Sequence, residues 1–564
     1  MNEKDGRKGL PEKIALCLSG GGYRAAGFHL GTFDYLEHLG LLSKVSILST
    51  VSGGTFVGIP FAVSLVEKDP FSKLFNDCYK FIRDQRYMEN ILQFLGTERP
   101  DRPGCRRNMI QAAAELYANS FLRDSRTGKP YLFETLLDSD VPLTAIFNAT
   151  SFYSGESFVF QKGEKGASFA GSFQGHLPKE KIGSIRLGDI AAASSCFPGG
   201  FEPLAFPQDF VWEKAPSLAE CRTPLSVRMP ETIPLMDGGV ADNVGLTTAL
   251  LAIESGEDDP DLIIASDVDR KPIDLYPDFP LKPNGPSFIQ KLSRIGMTIQ
   301  SLHFWLIAVV VFLASAMIGE GIYTWRQFER EGFRWLPLFF YLVALMLSIG
   351  VGGGILFVCR LFRQGLLGWF DEKMGGEKGR SWKIFKKLTL GHAANMVKVR
   401  ISSIFAMTSN IFMNCIRELA YVVTKFNPDY NYRFVEDTIY RVREKMGSDF
   451  FDNVLTPPQD ERIPGRKYPS EKLLSVVDAI MNMDSTLWWQ KEYQLPCLVA
   501  CGQISLCVSM YDRYFELGRR DPEIQELLNR LAEDWKLLNE NPYHFLEERY
   551  PDLGPFPLPP KGTR

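Results

Sequence analysis

This sequence has no excess of basic charge, few histidines and no export signal, and each absence excludes a class of protein. Lys and Arg number 63 against 67 Asp and Glu. No long basic cluster carries interleaved aromatic residues, so we expect no binding to nucleic acid. Residues 1–13 are polar and charged and lack the apolar core of a secretory signal, so we expect no export of the chain.

Metal-binding patterns are absent as well. The chain has six histidines and ten cysteines. Cys497, Cys501 and Cys507 lie close together, but no second Cys or His cluster stands at zinc spacing from them, so we predict no metal site. Several cysteines lie within apolar runs, where a reduced cysteine behaves as a small hydrophobic residue, and this pattern favours a reducing compartment.

Formal charge is missing from two long stretches, 295–319 and 335–359. Each is long and apolar enough to cross the hydrocarbon core of a bilayer, which needs about 20 residues. Trp and Tyr residues near the ends suit the membrane interface. We predict a transmembrane helical hairpin within 295–360, with spans at about 299–319 and 335–359. A pair of buried core helices is the alternative.

The charges beside this hairpin predict its orientation. Eight Lys and Arg residues follow the second span between positions 360 and 387, whereas the link 326–334 is short. The positive-inside rule therefore predicts a two-span membrane protein with both flanking regions in the cytoplasm, although three arginines in the link oppose this assignment. Gly350 and Gly354 form a small-xxx-small pair, which is compatible with a homo-oligomer formed through the hairpin.

The remaining chain has the periodicity of a soluble α/β protein. The predicted strands are 14–18, 45–50, 142–150 and 262–267. Strand, glycine turn and helix occur twice at the start, which is typical of a three-layer α/β fold with a mostly parallel central sheet. We predict a helical insertion at residues 71–122 and a buried core helix at residues 495–510. We divide the chain into a first domain at 1–290, the hairpin at 295–360, and a mainly α-helical C-terminal region at 361–564.

A glycine run follows the first strand. Gly20, Gly21, Gly22 and Ala25 match the dinucleotide pattern G-x-G-x-x-A. That site needs a carboxylate about 20 residues further on, at the end of the second strand. The second strand instead ends in Ser49-Thr50-Val51-Ser52, and no Gly-Lys-Ser/Thr follows the run to complete a P-loop. We therefore predict no nucleotide cofactor, and no other cofactor is indicated.

Ser52 stands between the second strand and a predicted helix, with Gly53 and Gly54 behind it. A nucleophile elbow needs small neighbours, because the turn is tight and the hydroxyl must stand clear of the backbone. The five residues from Thr50 fit G-x-S-x-G except that Thr50 replaces the first glycine. Taken alone, this pattern more often comes from an ordinary turn.

Asp237 begins a second glycine turn, with Gly238 and Gly239, after an apolar run. A serine hydroxyl is a poor nucleophile until a base within hydrogen-bonding reach takes its proton. A glycine turn adds no side-chain bulk and allows an aspartate to approach closely. An Asx-type turn without catalytic meaning is the alternative.

Occurring together and in this order, the three segments resemble the patatin-like phospholipase family. A fourth segment, AAASSCFPGGFEP at 191–203, is similar to that family's A-S-x-x-x-P-x-x-F-x-P pattern, and the resemblance covers about residues 12–270. It implies a patatin-like fold and a Ser–Asp dyad without histidine or metal. In this sequence Ser52 would be the nucleophile and Asp237 the general base.

The resemblance also implies roles for neighbouring residues. Backbone N–H groups of the run Gly20-Gly21-Gly22 would bind the oxyanion, with Gly21 and Gly22 as the main donors. Arg24 would hold this loop or meet a phosphate, and a solvated arginine is the alternative. Gly53 and Gly54 would support the nucleophile, and Gly238 and Gly239 would support the base. Thr50 departs from the family pattern, although its side chain can point away from the turn.

The resemblance and the hairpin together predict a membrane-anchored lipid acyl hydrolase of the phospholipase A or lysophospholipase type, with membrane lipids as substrate. Two other functions stay open. The same site could serve an esterase or acyltransferase acting on other lipid esters. The chain could also be a non-catalytic membrane scaffold with a vestigial site, against which the intact dyad, elbow and glycine run argue.

Overall fold

The structure, a computed structural model, describes most of the chain outside the predicted hairpin. The residues described are 9–83, 87–96, 108–165, 168–172, 175–212, 232–268, 412–446, 469–481 and 489–560, with the single residues 319, 322, 326 and 483. The predicted spans at about 299–319 and 335–359 therefore lie outside the described residues, apart from Gly319. The hairpin, its orientation and an oligomer formed through it stay predictions.

Ten strands form one sheet in the described part of the chain. They are β1 Ile14–Leu18, β2 Val45–Val51, β3 Thr144–Ser151, β4 Ser157–Lys162, β5 Phe169–Ser172, β6 Gly175–Pro178, β7 Leu204–Phe206, β8 Ile233–Asp237, β9 Leu262–Asp267 and β10 Phe434–Thr438. The order is β10-β9-β1-β2-β3-β4-β5-β6, and β8 pairs with β3 and β7. Strands β10 to β3 in this order are parallel, and the remaining pairs are antiparallel.

Helices cover the faces of this sheet. They are α1 Gly22–His38, α2 Thr55–Glu67, α3 Phe71–Arg83, α4 Tyr87–Gly96, α5 Met109–Leu116, α6 Glu134–Leu137, α7 Lys179–Ile182, α8 Leu187–Ser194, α9 Leu246–Glu254, α10 Met413–Phe426, α11 Arg441–Lys445, α12 Glu471–Met481, α13 Gln494–Glu516, α14 Pro522–Glu540 and α15 His544–Arg549. Short helical turns lie at Leu42–Lys44, Ser52–Gly54, Tyr117–Phe121, Gly238–Val240, Asn431–Arg433 and Pro551–Leu553. The α/β architecture, with parallel strands in the centre of the sheet and a helical C-terminal region, is confirmed.

The four predicted strands are β1, β2, β3 and β9, and each runs within two residues of its predicted bounds. Their residues are almost all buried, because helices cover both faces of the parallel part of the sheet. The predicted helical insertion at 71–122 contains α3, α4 and α5. The antiparallel strands β4 to β8 were not predicted.

The two ends of the chain build one compact unit, formed by the described residues up to 268 and from 412 onwards. Strand β10 pairs in parallel with β9 and so extends the sheet that begins with β1. The predicted division set a mainly helical region at 361–564 apart from the first domain. In the fold, the described part of that region contributes a strand and the helix α13 to the first domain itself.

Helix α13 packs directly against α1. The backbone of Val499 occupies the space where Gly31 has no side chain, and the carbonyl of Phe28 lies against Gly502 in the same way. Among the described residues, α13 is the one helix long and apolar enough to cross a membrane, and its apolar window is entirely buried within the protein. The prediction of a buried core helix at 495–510 is confirmed.

Candidate active site

Strands β2 and β8 share one edge of β3 and meet end to end. The last paired residue of β2, Val51, lies opposite Asn148, and Asp237 lies opposite the next residue, Ala149. Because β4 occupies the other edge of β3, β8 must lie on the same edge as β2, beyond the point where β2 ends. Asp237 therefore takes the place that Ser52 would occupy if β2 ran one residue further.

Ser52 turns out of this path with a φ of 48°, in the left-handed region that side chains other than glycine rarely adopt. A residue held in this region stores backbone strain, which the surrounding contacts must offset. Gly53 fits behind it because a side chain there would overlap the backbone of Gly22, and a side chain at Gly54 would overlap the carbonyl of Leu18. The sharp turn expected of a nucleophile elbow is present at Ser52.

Asp237 is buried, and its loop holds the carboxylate in place. Burial raises the pKa of Asp237 to about 6, while a hydrogen bond from the Ser52 side chain and one from the backbone N–H of Gly239 lower it. The N–H of Gly239 lies 2.8 Å from Oδ1 of Asp237. Gly238 is needed because a side chain there would overlap the carbonyl of Asn148. The sequence-predicted Ser52 and Asp237 are thus brought together.

The glycine run lies beside this pair, at the start of α1. Gly21 and Gly22 have φ values of 142° and 60°, which only glycine adopts readily. The N–H of Gly20 donates to the carbonyl of Asn243 at 2.8 Å, so it is already engaged. No residue in the described ranges accepts a hydrogen bond from the N–H of Gly21 or Gly22. Of the three predicted oxyanion donors, these two are therefore the ones available to a ligand.

Thr50 stands where the family pattern has a glycine, and the structure shows how its larger side chain fits. Its hydroxyl oxygen lies 2.9 Å from that of Thr55, so the side chain points toward α2 rather than into the turn. Its methyl group occupies the space in which Gly58 has no side chain. A glycine on the facing helix therefore accommodates the larger residue, and the geometry at Ser52 is kept.

Ser194 is a supporting residue that the sequence pattern did not single out. Its hydroxyl oxygen accepts the backbone N–H of Ser52 at 2.9 Å and lies 2.8 Å from the hydroxyl of Thr55. The carbonyl of Cys196, two residues on, accepts the N–H of Asp237 at 2.9 Å. The AAASSCFPGGFEP segment thus bonds to the backbone of both Ser52 and Asp237. The similarity of this segment to a family pattern was the signal available in the sequence. That similarity did not indicate which serine makes the contact.

Asn148 is a second residue that only the fold identifies. Its Nδ2 donates to the hydroxyl of Ser49 at 2.9 Å and to the carbonyl of Thr50 at 3.0 Å. Its Oδ1 accepts a hydrogen bond from Thr248 on α9 at 2.8 Å. The amide therefore joins β2, β3 and α9 directly beneath the turn that carries Ser52.

Arg24 is fully buried, so the alternative of a solvated arginine is wrong. Its Nη2 donates to the Tyr440 hydroxyl at 3.5 Å and to the carbonyl of Met481 at 3.4 Å. Arg24 thus connects the start of α1, directly after the glycine run, to two residues from the C-terminal part of the chain.

A buried polar network continues behind the glycine run. His29 lies 3.0 Å from the carbonyl of Ser19 through Nε2 and 3.1 Å from the Ser266 hydroxyl through Nδ1. Ser266 in turn donates to Asp437 on β10 at 3.3 Å. Burial lowers the pKa of His29 to about 3 and raises that of Asp437 to about 7. Neutral His29 thus links the end of β1, just before the glycine run, to β9.

Comparison with known proteins agrees with this geometry. Residues 16–250 match the sequence model of the family described as Patatin-like phospholipase. This part of the chain is similar to the patatin-like phospholipases. The match spans the glycine run, the Ser52 turn, Ala191–Pro203 and the Asp237 loop, and it supports a lipid acyl hydrolase activity in general. Among curated proteins no match to the chain was found.

Proposed function

We propose that the patatin-like phospholipase domain is a membrane-anchored hydrolase of the phospholipase A or lysophospholipase type, with Ser52 as nucleophile and Asp237 as general base. The observation that carries this proposal is the end-to-end meeting of β2 and β8, which sets Ser52 on a strained turn within hydrogen-bonding reach of a buried carboxylate. The substrate would be an acyl ester of a membrane lipid.

In the first half of the reaction, the Asp237 carboxylate takes the proton of the Ser52 hydroxyl as the oxygen attacks the acyl carbonyl carbon. Negative charge then develops on the carbonyl oxygen, where the N–H groups of Gly21 and Gly22 at the start of α1 receive it. Donors that are fixed before the reaction stabilise such an oxyanion by about 2.7–4 kcal/mol each in known enzymes. Asp237 returns the proton to the departing alcohol, and the acyl group stays on Ser52.

In the second half, water replaces the alcohol. Asp237 takes a proton from this water as it attacks the acyl carbonyl, and the same glycine N–H groups bind the oxyanion again. The bond to Ser52 oxygen breaks, the proton returns to Ser52, and the fatty acid leaves. No metal or cofactor is needed at any step.

The raised pKa of Asp237 suits this role. A general base works best when its pKa lies close to the operating pH, because it is then ionised and still strongly basic. Burial places the pKa of Asp237 at about 6, above the ordinary range of an aspartate. At neutral pH most of the enzyme would therefore carry the ionised base.

Membrane anchoring rests on the apolar sequences at about 299–319 and 335–359, which lie outside the described residues apart from Gly319. A hairpin at this place would join two segments of the catalytic unit and hold the active site beside the bilayer, where its substrate is concentrated. The basic residues at 360–387 support a cytoplasmic position for both flanking regions.

Labelling with a fluorophosphonate probe tests the catalytic part of this proposal. The full chain should label, and Ser52→Ala should not, whereas Ser195→Ala serves as a matched control because its hydroxyl donates to the carbonyl of Ala191, four positions back along the chain. Equal labelling of wild type and Ser52→Ala would exclude Ser52 as the nucleophile. Chromatographic separation of the lipid products would then identify which ester bond is cut.

A separate experiment tests the membrane topology. An epitope or glycosylation tag placed in the link 326–334 should be accessible only from the non-cytoplasmic side. A tag at the same position that is read out in the cytoplasm would contradict the predicted orientation without affecting the catalytic assignment.

A further inference from the structure

Three aromatic side chains close in sequence to residues that pair with or bond to Asp237 are exposed. Phe152 is 59%, Tyr153 62% and Phe197 48% exposed. Two of them form the tip of the β3–β4 hairpin, and the third belongs to the loop that follows α8. We call this set the aromatic rim. Single exposed apolar residues are ordinary on protein surfaces, so the position of these three relative to the dyad decides their meaning.

The hairpin tip lies further along β3 than the residue that pairs with Asp237. Along β3, Ala149 lies opposite Asp237 and Ser151 opposite Leu235, and the N–H of Phe152 donates to the carbonyl of Pro234 at 2.8 Å. Phe152 is three positions after Ala149, a rise of about 10 Å in extended chain. Phe152 and Tyr153 therefore extend beyond the end of the sheet at which Ser52 and Asp237 meet.

Phe197 flanks the dyad from a second element. It directly follows Cys196, whose carbonyl accepts the N–H of Asp237 at 2.9 Å. Its own carbonyl accepts the N–H groups of Gly200 and Phe201, so the loop around it is closed on itself. The two parts of the rim are thus attached to opposite ends of the five-residue strand β8.

The charges on these loops indicate the kind of surface that would contact them. The only charged residues in 152–156 and 197–202 are Glu156 and Glu202, both exposed carboxylates, and neither loop carries a cation. Aromatic side chains are favoured at the boundary between hydrocarbon and headgroups, whereas carboxylates give no attraction to an anionic surface. This combination suits a zwitterionic lipid surface better than an acidic one.

We infer that the aromatic rim, Phe152, Tyr153 and Phe197, is the surface through which the catalytic domain contacts the bilayer, so that a lipid passes from the headgroup layer to Ser52 without crossing bulk water. This contact deepens the proposed function and rests on it. It is a surface of the catalytic domain itself, in addition to the predicted hairpin, and it determines how the active site is presented to its substrate.

The test compares two substrates with the full chain reconstituted in phosphatidylcholine vesicles. The variant carries Phe152→Ser, Tyr153→Ser and Phe197→Ser. The matched control is Phe515→Ser, because Phe515 is 49% exposed but lies near the opposite edge of the sheet. Its neighbours Tyr514 and Leu517 line a surface cavity with Leu262, the first residue of β9.

We expect hydrolysis of vesicle phosphatidylcholine to fall by about tenfold or more in the rim variant, because three aromatic side chains no longer leave water at the interface. Hydrolysis of a soluble short-chain ester and labelling by the fluorophosphonate should stay unchanged, and the control should behave as wild type. Equal losses on both substrates, or unchanged hydrolysis of vesicle lipid, would overturn the inference. Failure of the proposed function would look different, because Ser52→Ala would then keep activity on the soluble ester.

Discussion

Asp237 pairs with Ala149, the residue of β3 that Ser52 would face if β2 continued by one residue. Val51 and Asp237 pair with consecutive residues of β3, Asn148 and Ala149, from the same edge. Because β2 and β8 run toward each other, the last residue of one strand and the residue after the other must meet. Two strand pairings therefore bring Ser52 and Asp237 together, although they are 185 positions apart in the sequence.

The first prediction concerns the acidic limb of the pH profile. Asp237 must be ionised to accept a proton, and its pKa is about 6. We expect kcat/KM for a soluble ester to be level above pH 7 and to fall tenfold per unit below about pH 6. Thermal unfolding measured over the same range separates this effect from loss of structure. A limb near pH 4 would show that Asp237 titrates as an ordinary aspartate.

Asp237→Asn should abolish activity and yet stabilise the protein above pH 6. Burial raises the pKa of Asp237 above its unfolded value, so the folded state holds a proton that the unfolded state releases between about pH 4 and pH 6. The ionised group therefore destabilises the fold at higher pH by an amount on the order of 3 kcal/mol. Asparagine keeps an oxygen for the N–H of Gly239 and removes the buried charge.

Thermal unfolding of Asp237→Asn and wild type at pH 8 and pH 4.5 checks this expectation. The Tm difference should favour the variant at pH 8 and become small at pH 4.5, where the native carboxyl is protonated as well. A variant that is less stable than wild type at pH 8 would contradict the assignment of a destabilising buried charge.

Ser194→Ala should slow catalysis without removing the nucleophile. The change takes away the acceptor of the Ser52 N–H and a hydrogen-bonding partner of Thr55. A lost hydrogen bond of this kind costs about 1–2 kcal/mol, so we expect kcat to fall roughly tenfold. KM for a soluble ester should change little, because the acyl-binding surface is untouched. Ser195→Ala is the neighbouring control, and an equal loss in both variants would contradict a specific role for Ser194.

Gly58 and Thr50 should be energetically coupled. In Gly58→Ala the new methyl group would overlap that of Thr50, whose hydroxyl is held by Thr55, so we expect a loss of about 1–3 kcal/mol in stability. Adding Thr50→Gly should recover much of that loss. Unfolding of wild type, both single variants and the double variant gives the coupling energy. Additive effects would show that the two side chains do not compete for the same space.

Much of the first domain could be predicted because its signals are local. Buried strands such as β1 and β9 are short apolar runs, and the glycines at 20–22 and 53–54 mark turns that few other residues can form. The order of these segments was enough to suggest the family, and residues 16–250 match it. The short strands β7 and β8 and the partners of Ser194 and Asn148 carry no such local signal, since their stability comes from neighbours far away in sequence.

The C-terminal region illustrates the same limit. Its helices could be predicted, and α13 was correctly interpreted as a core helix from its apolar residues interrupted by polar ones. Nothing local in Phe434–Thr438 indicates that this segment pairs with β9, because any short β-prone run has unsatisfied backbone groups on both edges. The close approach of Gly31 to Val499 depends equally on where two helices cross.

By itself, the sequence determined which residues can carry the chemistry: a serine at a glycine-flanked turn, an aspartate at another, and a glycine run that leaves backbone N–H groups exposed. These properties follow from covalent structure and from the conformations that each residue allows. Only the tertiary structure decided that β2 and β8 meet on one edge of β3, that Ser194 holds the Ser52 N–H, and that burial raises the pKa of Asp237. Each of these depends on distant segments excluding water from the same small volume, which no stretch of sequence can do alone.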